Sequence, residues 1–468
     1  MSRHPRSVKP LAVLAAALGA VAWPVWPHVS EMGLVLLLPT EIYMAAGAWT
    51  VALTVLALAL VPPRWAEAPF RPLTLARGPS GPGQQPGPWP SLATAALTLA
   101  LIAAGLSGSR DPLGNPLPLA VWTVFWIGFV TLQGGVGDLW HWLNPWRGAA
   151  ALIAGQGAPL LRLPERLGHA PAIAGLLIVA AFAFAHPAPD DPAVLAIAVA
   201  LWWGASLAGC VVFGTEVWLA RGEGLSALLR LFAGLAPWGG PGVRVALPGW
   251  RLLEAPAAST TAGLLALTTL SIGSFDGLNE TFWWLALIGV NPLEFPGRSA
   301  IIGQTVAGLL STTVLLWAVF AAAVWAGLRL ARAEVTLATA FARLAPTVLP
   351  IAFGYHIAHY LTTALVNGQY VQAALADPLG TGWDPLGLGP VTVTTGFLNT
   401  PDSVETIFQV QAGAVVLGHV LSILLAHAAA LRLIAEPRRA AISQIPLAAF
   451  MIAYTFLGLW LLAAPKGA

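Results

Sequence analysis

The chain has 468 residues, of which 57% are hydrophobic and 9% are charged, and its mean hydropathy is +0.76. A soluble domain needs roughly a quarter of its residues charged, so this composition excludes a water-soluble protein and predicts one that lies in a lipid bilayer. The net charge of +2 and the apolar composition exclude nucleic acid as a partner. The one cysteine, Cys210, excludes an intramolecular disulfide and a cysteine-rich metal site.

Eleven hydrophobic runs predict eleven membrane spans. Because backbone polar groups cannot stay unpaired in lipid and the runs lack the alternation of barrel strands, each run is predicted to be an α-helix. The predicted fold is an all-α, polytopic transmembrane helix bundle, with residues 1–468 forming a single integral membrane domain. The runs lie at residues 11–26, 41–62, 91–107, 117–133, 170–187, 193–213, 256–272, 302–328, 345–366, 406–431 and 443–463.

The first run has two interpretations. A basic start followed by a short apolar run is typical of a cleaved secretory signal peptide as well as of a membrane helix. Trp and Pro in the sequence AVAWPVW, residues 20–26, make a poor cleavage site, so a retained helix is favoured. Both interpretations leave the later loops on the same sides of the membrane.

The basic residues predict the orientation, since Lys and Arg are retained on the cytoplasmic side. Of the 22 basic residues, all but Arg110, Arg298 and Lys466 fall on the side of the N-terminus. The N-terminus is therefore predicted to be cytoplasmic and the C-terminus external. The expected location is the bacterial cytoplasmic membrane, with the lipid bilayer as partner and a second membrane subunit as a further possible partner.

Four connecting segments have distinctive compositions. Residues 63–90 contain GPSGPGQQPGPWP and predict a flexible cytoplasmic linker. Residues 136–154 and 217–235 have apolar residues at helical spacing with arginine at the edge, which predicts amphipathic helices at the cytoplasmic membrane surface. Residues 367–405 are predicted to form a long external loop.

Histidines inside two consecutive spans are the strongest functional candidates, because ionisable side chains are costly within a membrane. The ninth span carries His356 and His359 at i, i+3 spacing, and the tenth carries His419 and His427 two turns apart. His356 and His419 are predicted to lie at similar depth on antiparallel neighbours. His356, His359 and His419 are therefore candidate ligands for a transition metal (Zn, Cu or Fe), although a structural polar network and a transport or proton pathway remain open alternatives.

Carboxylates that would serve such a site lie on the predicted outer side. Asp276 and Glu280 are at i, i+4 spacing, so a short helix following the seventh span would place both on one face as candidate general bases. Glu41 opens the second span, and Asp377 lies in the external loop, where Asp-Pro is also ordinary turn chemistry. A serine hydrolase elbow and a phosphate-binding loop are not found in the sequence.

The chain resembles the multispan bacterial membrane proteins of the fenitrothion hydrolase family. The resemblance covers most of the chain and is strongest from Ser271 onward, in the order SFDGLNETFWW, PIAFGYHIAHYLTTALVNGQY, DPLGTGWDPLG, GHVLSILLAHAAALRL and SQIPLAAFMIAYTFLGLWLL. The N-terminus departs from the family pattern, with HVSEMGLVLLLPTEIY in place of a Gly-rich polar stretch. By position, the matching polar residues are Asp276, Glu280, His356, His359, Gln369, Asp377, His419 and His427.

The resemblance implies hydrolysis of a hydrophobic organophosphorus triester at its aryl P–O bond. A metal held by the three histidines would activate water, with Asp276 or Glu280 as the base. A transporter or metal-handling membrane protein, or an accessory subunit of a membrane complex, is the alternative expectation from the residues alone.

The distribution of basic residues leads to a test of orientation. In a background with Cys210→Ala, a cysteine placed at Gly382 is expected to react with a membrane-impermeant thiol reagent on intact spheroplasts, because that position is predicted to be external. A cysteine at Gly81 is expected to react only after permeabilisation. The reverse labelling pattern would overturn the orientation.

Overall fold

The computed structural model describes Val35 and residues 38–466, apart from 77–86, 156–157, 241–242, 256–258, 295–296, 378–381, 385 and 390. Long α-helices make up most of this part of the chain. They are α1 (Thr40–Leu60), α3 (Pro88–Ser107), α4 (Pro116–Val136), α7 (Ala170–Ala185), α8 (Pro192–Phe213), α12 (Thr260–Leu278), α14 (Ile302–Ala331), α16 (Leu349–Ala376), α17 (Pro401–Leu433) and α19 (Ile445–Ala463).

Shorter elements connect these helices. They are α2 (Pro63–Glu67), α5 (Trp140–Leu143), α6 (Arg147–Ala154), α9 (Thr215–Arg221), α10 (Gly224–Ala233), α11 (Trp250–Glu254), α13 (Phe282–Leu287), α15 (Leu337–Leu344), α18 (Pro437–Ser443) and the strands β1 (Leu73–Ala76), β2 (Trp238–Gly239) and β3 (Val243–Val245). Single 3-10 turns lie at Ala68–Phe70, Glu165–Leu167, Pro292–Glu294, Arg298–Ala300, Ala345–Val348 and Gly396–Asn399.

The helical bundle confirms the all-α prediction and identifies a multi-pass membrane protein. By length and composition, eight of the described helical stretches can cross a membrane. The helices α7, with 16 residues, and α12, which is rich in Thr, Ser and Gly, occupy two more of the predicted runs. The first predicted run, residues 11–26, lies outside the described residues.

The helix α12 is less apolar than its neighbours α7 and α14, and it lies in the interior of the bundle. Eleven of its 19 residues are buried, including Thr268, Thr269 and Ser271. It contacts α7, α14 and α16. Its polar residues therefore meet protein groups rather than lipid, as with the hydrogen bond of 3.0 Å between the hydroxyls of Ser271 and Thr313.

Helix boundaries differ from the predicted boundaries at the ends that carry polar residues. The helix α12 continues to Leu278, beyond the predicted end at 272, and α16 continues to Ala376, beyond 366. The connection between α16 and α17 consequently spans 377–400 rather than 367–405. Hydropathy marks the apolar core of a helix, whereas backbone hydrogen bonding continues past it into polar residues.

A small antiparallel sheet was not predicted from the sequence. The strand β3 pairs with both β1 and β2, so that Leu73 lies opposite Val245 and Trp238 lies opposite the same residue on the other side. Two connections far apart in sequence therefore pair at one end of the bundle. The part of the predicted 63–90 linker that the structure describes contains α2, β1 and the start of α3, while 77–86 lies outside the described residues.

The helices α16 and α17 approach each other closely at two glycines. A Cβ atom at Gly354 would lie 2.4 Å from the Ala414 carbonyl oxygen, and one at Gly418 would lie 2.5 Å from the Pro350 carbonyl oxygen. Both backbones approach each other because glycine has no side chain at these two positions. This contact fixes the rotation of both helices, and hence the directions of the histidines that they carry.

We expect Gly418→Ala to destabilise the protein by about 1–3 kcal/mol, because the added methyl group must push two backbones apart. Gly413→Ala on the same helix is the matched control, since a Cβ there meets no atom within 4 Å. Unfolding of the two purified variants in mixed detergent micelles measures the difference. Equal stability of the two variants would contradict the proposed helix contact.

Candidate functional site

The candidate site is a buried polar cluster between α12 and α16. The Asp276 Oδ2 atom accepts a hydrogen bond of 2.5 Å from the Tyr360 hydroxyl and lies 3.1 Å from His359 Nε2. The side chains of Asp276 and His359 retain 17% and 14% exposure, respectively. The pair is therefore largely buried, with a small part of each side chain still accessible.

Local backbone geometry brings these groups together. Asp276 lies in the last turns of α12, and His359 and Tyr360 are adjacent residues in the middle of α16. Their rings, with centroids 4.8 Å apart at an interplanar angle of 82°, approach the same carboxylate from two directions. A carboxylate bound by two donors has most of its lost hydration replaced, which makes its burial tolerable.

Tyr355 lies one turn before His359 on α16, and its ring packs against the His359 ring. The two rings stack with centroids 5.6 Å apart and an interplanar angle of 18°. Tyr355 reaches this position because Gly277 lies opposite it, where a Cβ atom would approach the tyrosine hydroxyl to 1.9 Å. The glycine that follows Asp276 thus makes room for the ring that orients His359.

His356 borders this cluster, since its ring lies 5.1 Å from that of Tyr360. On its other sides the ring lies 6.0 Å from that of Trp126 on α4 and 6.5 Å from that of Phe232 on α10. Trp126 belongs to a π-helical stretch, Leu119–Phe129, within α4. Both histidines of the His-x-x-His motif therefore contact Tyr360, but His359 is the one that reaches the Asp276 carboxylate.

His419 points to a third side, toward α19. Its Nδ1 atom lies 2.9 Å from the Val415 carbonyl oxygen, and its ring lies 6.4 Å from that of Tyr454. The close contact at Gly418 turns His419 away from His356 around the α17 axis. Within the described part of the chain, no group of three or more His, Cys, Asp or Glu is arranged to hold a metal ion.

Asp276 and Glu280 do not share one helical face, contrary to the prediction. The helix α12 ends at Leu278, so the i, i+4 relationship is broken before Glu280 is reached. Glu280 instead lies 3.3 Å from Arg298 and is 45% exposed. Of the two candidate bases, Asp276 is the one that meets a histidine.

The other candidate residues lie outside the cluster. Gln369 makes two hydrogen bonds with the backbone of Thr394, and Asp377 Oδ2 accepts a hydrogen bond from the Gly382 backbone N–H. Glu41 is exposed in the first turn of α1, and His427 is buried further along α17. Gln369 and Asp377 therefore have positions suited to organising the connection between α16 and α17.

The sequence did not identify the tyrosines as members of the site. Tyr360 donates a hydrogen bond to the Asp276 carboxylate, and Tyr454 shares a hydrogen bond of 2.6 Å with Ser274, two residues before Asp276 on α12. Tyrosine is rare here, with five in the chain, and three of them, Tyr355, Tyr360 and Tyr454, line this region. Their scarcity and their location in apolar runs were the available signal.

Comparison of the chain with protein-family models, with curated proteins and with solved structures finds no match.

A double-mutant cycle tests the cluster. We expect Asp276→Asn and His359→Asn to show a coupling energy of about 1 kcal/mol or more in the free energy of unfolding, because the two side chains are in direct contact. The matched cycle of Asp276→Asn with His419→Asn is expected to be additive within about 0.5 kcal/mol. Equal coupling in the two cycles would show that the histidines act as one group.

Proposed function

We propose that Asp276, His359 and Tyr360 form an acid–base site with which this membrane protein hydrolyses a hydrophobic ester. The observation that carries the proposal is the contact of 3.1 Å between Asp276 Oδ2 and His359 Nε2 in a partly accessible site. A carboxylate that orients an imidazole is a recurrent device for activating water or a hydroxyl group. The resemblance to the fenitrothion hydrolase family suggests a phosphotriester as the substrate class.

The contact assigns a role to each ring nitrogen. Because Nε2 of His359 faces the carboxylate, this nitrogen carries the ring proton and donates a hydrogen bond to Asp276, which leaves Nδ1 as the base. Nδ1 takes a proton from water while the water oxygen forms a bond to phosphorus. The aryl P–O bond breaks, its electron pair leaves with the aryl oxygen, and the imidazolium returns the proton to that oxygen.

Asp276 stabilises the imidazolium that forms during the reaction, and Tyr360 keeps the carboxylate from rotating. Tyr355 limits the ring of His359 to one plane. These contacts restrict the base to one orientation, which lowers the entropic cost of the reaction. The three-histidine metal centre is a less favoured version of this proposal, because no group of three or more His, Cys, Asp or Glu in the described part of the chain is arranged to hold a metal ion.

The proposed topology has eleven spans in the bacterial cytoplasmic membrane, with the N-terminus inside. In that orientation the C-terminal ends of α12, α16 and α19 face outward. Thr281, just after α12, pairs with Lys466, just after α19, at that end. Asp276 then lies near the outer surface, where a hydrophobic ester enters from the lipid or from outside.

A proton-coupled transporter is the second candidate, supported by polar groups that continue inward from the site. Ser274 and Tyr454 share a hydrogen bond, and Tyr454 adjoins His419. The Tyr355 hydroxyl, the His419 Nε2 atom and the Ser422 hydroxyl are buried and have no hydrogen-bond partner among the described residues. Such atoms suit a path of water molecules through the bundle.

For the hydrolase, Asp276→Asn is expected to lower kcat by about 10²- to 10⁴-fold, because the amide no longer stabilises the imidazolium. The assay follows nitrophenolate release from an aryl dialkyl phosphotriester by the purified protein. Glu280→Gln is the control and is expected to keep its turnover, since Glu280 pairs with Arg298 outside the site.

Equal activity of wild type and Asp276→Asn would contradict the hydrolase. Wild type and Asp276→Asn, reconstituted in proteoliposomes, then test the proton-coupled transporter. Proton flux that is present in wild type and lost in Asp276→Asn, without ester cleavage, would assign the cluster to transport.

A further inference from the structure

A polar pocket lies between the two segments predicted to be amphipathic surface helices. It is formed where α5 and α6 meet α9 and α10, which brings residues about 80 positions apart in sequence into contact. The lining combines two arginines, one aspartate, a histidine and uncharged polar groups. Its residues are Asp138, Trp140, His141, Asn144, Arg147, Leu219, Ser226 and Arg230.

A network of buried hydrogen bonds fixes the walls of this pocket. The Ser226 hydroxyl accepts hydrogen bonds from Trp140 Nε1 at 2.8 Å and from Asn144 Nδ2 at 3.2 Å. The Asn144 side chain also accepts from the backbone of Trp146 and Arg147, where Pro145 breaks the helix. Because these groups are held by one another, the walls keep their positions without a ligand. They enclose a recess of about 20 Å³, so an anion of phosphate size would bind at its mouth.

The two arginines supply cationic donors that the protein does not fully use. Arg147 pairs with Glu216 through one guanidinium nitrogen, while its Nε–H is buried without a hydrogen-bond partner among the described residues. Arg230 has no ion-pair partner in the part of the chain that the structure describes. Guanidinium groups bind phosphate oxygens through paired N–H donors.

The neighbouring charge is consistent with an anion. Asp138 Oδ1 accepts hydrogen bonds from Gln133 Nε2 and from the His141 backbone N–H. This oxygen therefore stabilises the local backbone. Burial lowers the pKa of His169, and the positive charges of Arg221 and Arg230 lower it further. Arg221 and Arg230 therefore contribute positive charge to this side of the pocket.

Apolar side chains next to the pocket indicate that the phosphate belongs to a lipid. Trp142 and Leu143, adjacent to His141 on α5, are 45% and 38% exposed, and Leu152 and Ile153 on α6 are 72% and 63% exposed. Exposed aromatic and aliphatic side chains beside arginines are typical of the headgroup level of a membrane. A soluble phosphate would make no favourable contact with these apolar side chains, whereas the acyl chains of a lipid would.

We infer that this pocket binds the phosphate of an anionic lipid headgroup, with Arg147 and Arg230 as the donors and the acyl chains lying along α5 and α6. The predicted orientation puts it in the cytoplasmic leaflet, where anionic lipids are concentrated. The inference does not depend on the proposed function, since the pocket and the Asp276 cluster share no residue.

The test uses native mass spectrometry of the purified full chain in detergent, titrated with phosphatidylglycerol and, separately, with phosphatidylcholine. Wild type is expected to retain phosphatidylglycerol selectively, and Arg230→Gln to weaken that binding about fivefold, as expected for one basic residue near an anionic lipid. Arg438→Gln is the matched control, because Arg438 is exposed and does not line the pocket. Arg230→Lys, which keeps the charge, is expected to retain most of the selectivity.

Equal lipid binding by wild type and Arg230→Gln, or equal loss in Arg230→Gln and Arg438→Gln, would overturn the inference. Titration with inorganic phosphate separates the two sources of the anion. Arg230-dependent binding of inorganic phosphate without selective lipid retention would assign the pocket to a soluble phosphate and would also overturn it. Thermal unfolding of each variant shows that the comparison concerns folded protein.

Discussion

The requirement that polar groups inside a bilayer find partners within the protein governs this structure. Asp276 is the clearest case, since its carboxylate is enclosed between two helices and accepts hydrogen bonds from His359 and Tyr360. Removing a single partner leaves a buried charge poorly compensated, which costs several kcal/mol. The cluster and the packing of α12 against α16 therefore stabilise each other.

The same requirement explains the composition of the interior helices. The hydroxyl groups of Thr and Ser on α12 and α14 form hydrogen bonds with their own helix backbone or with each other. Thr268 donates to the Leu264 carbonyl oxygen, and the hydroxyls of Ser271 and Thr313 share a hydrogen bond. Such residues allow close packing without exposing a polar atom to lipid. Among the buried polar atoms without a hydrogen-bond partner in the described residues, those on Tyr355, His356, His419 and Ser422 belong to α16 and α17.

The two ends of the bundle have different characters. At the end where Thr281 meets Lys466, the connections hold the edge of the Asp276 cluster. Near the other end, the paired strands and the pocket around Arg147 and Arg230 combine aromatic, apolar and cationic groups. The first arrangement suits chemistry on a small molecule, whereas the second suits attachment to a charged membrane surface. This division is consistent with the positive-inside distribution of the arginines.

The sequence by itself determined the helical class and the approximate positions of the long helices, because apolar length and the cost of unpaired backbone in lipid leave few alternatives. It also identified His359 as a costly residue in a membrane and Asp276 as a carboxylate that could serve it from the end of a neighbouring span. Only the tertiary structure decided which of them meet, since the rotation of α16 and α17 depends on the contact between Gly354 and Gly418. That rotation separates His356 and His419 and leaves His359 facing Asp276. The local sequence determines where each helix begins and ends. The rotation of a helix relative to its neighbours depends instead on packing between residues that are distant in the chain.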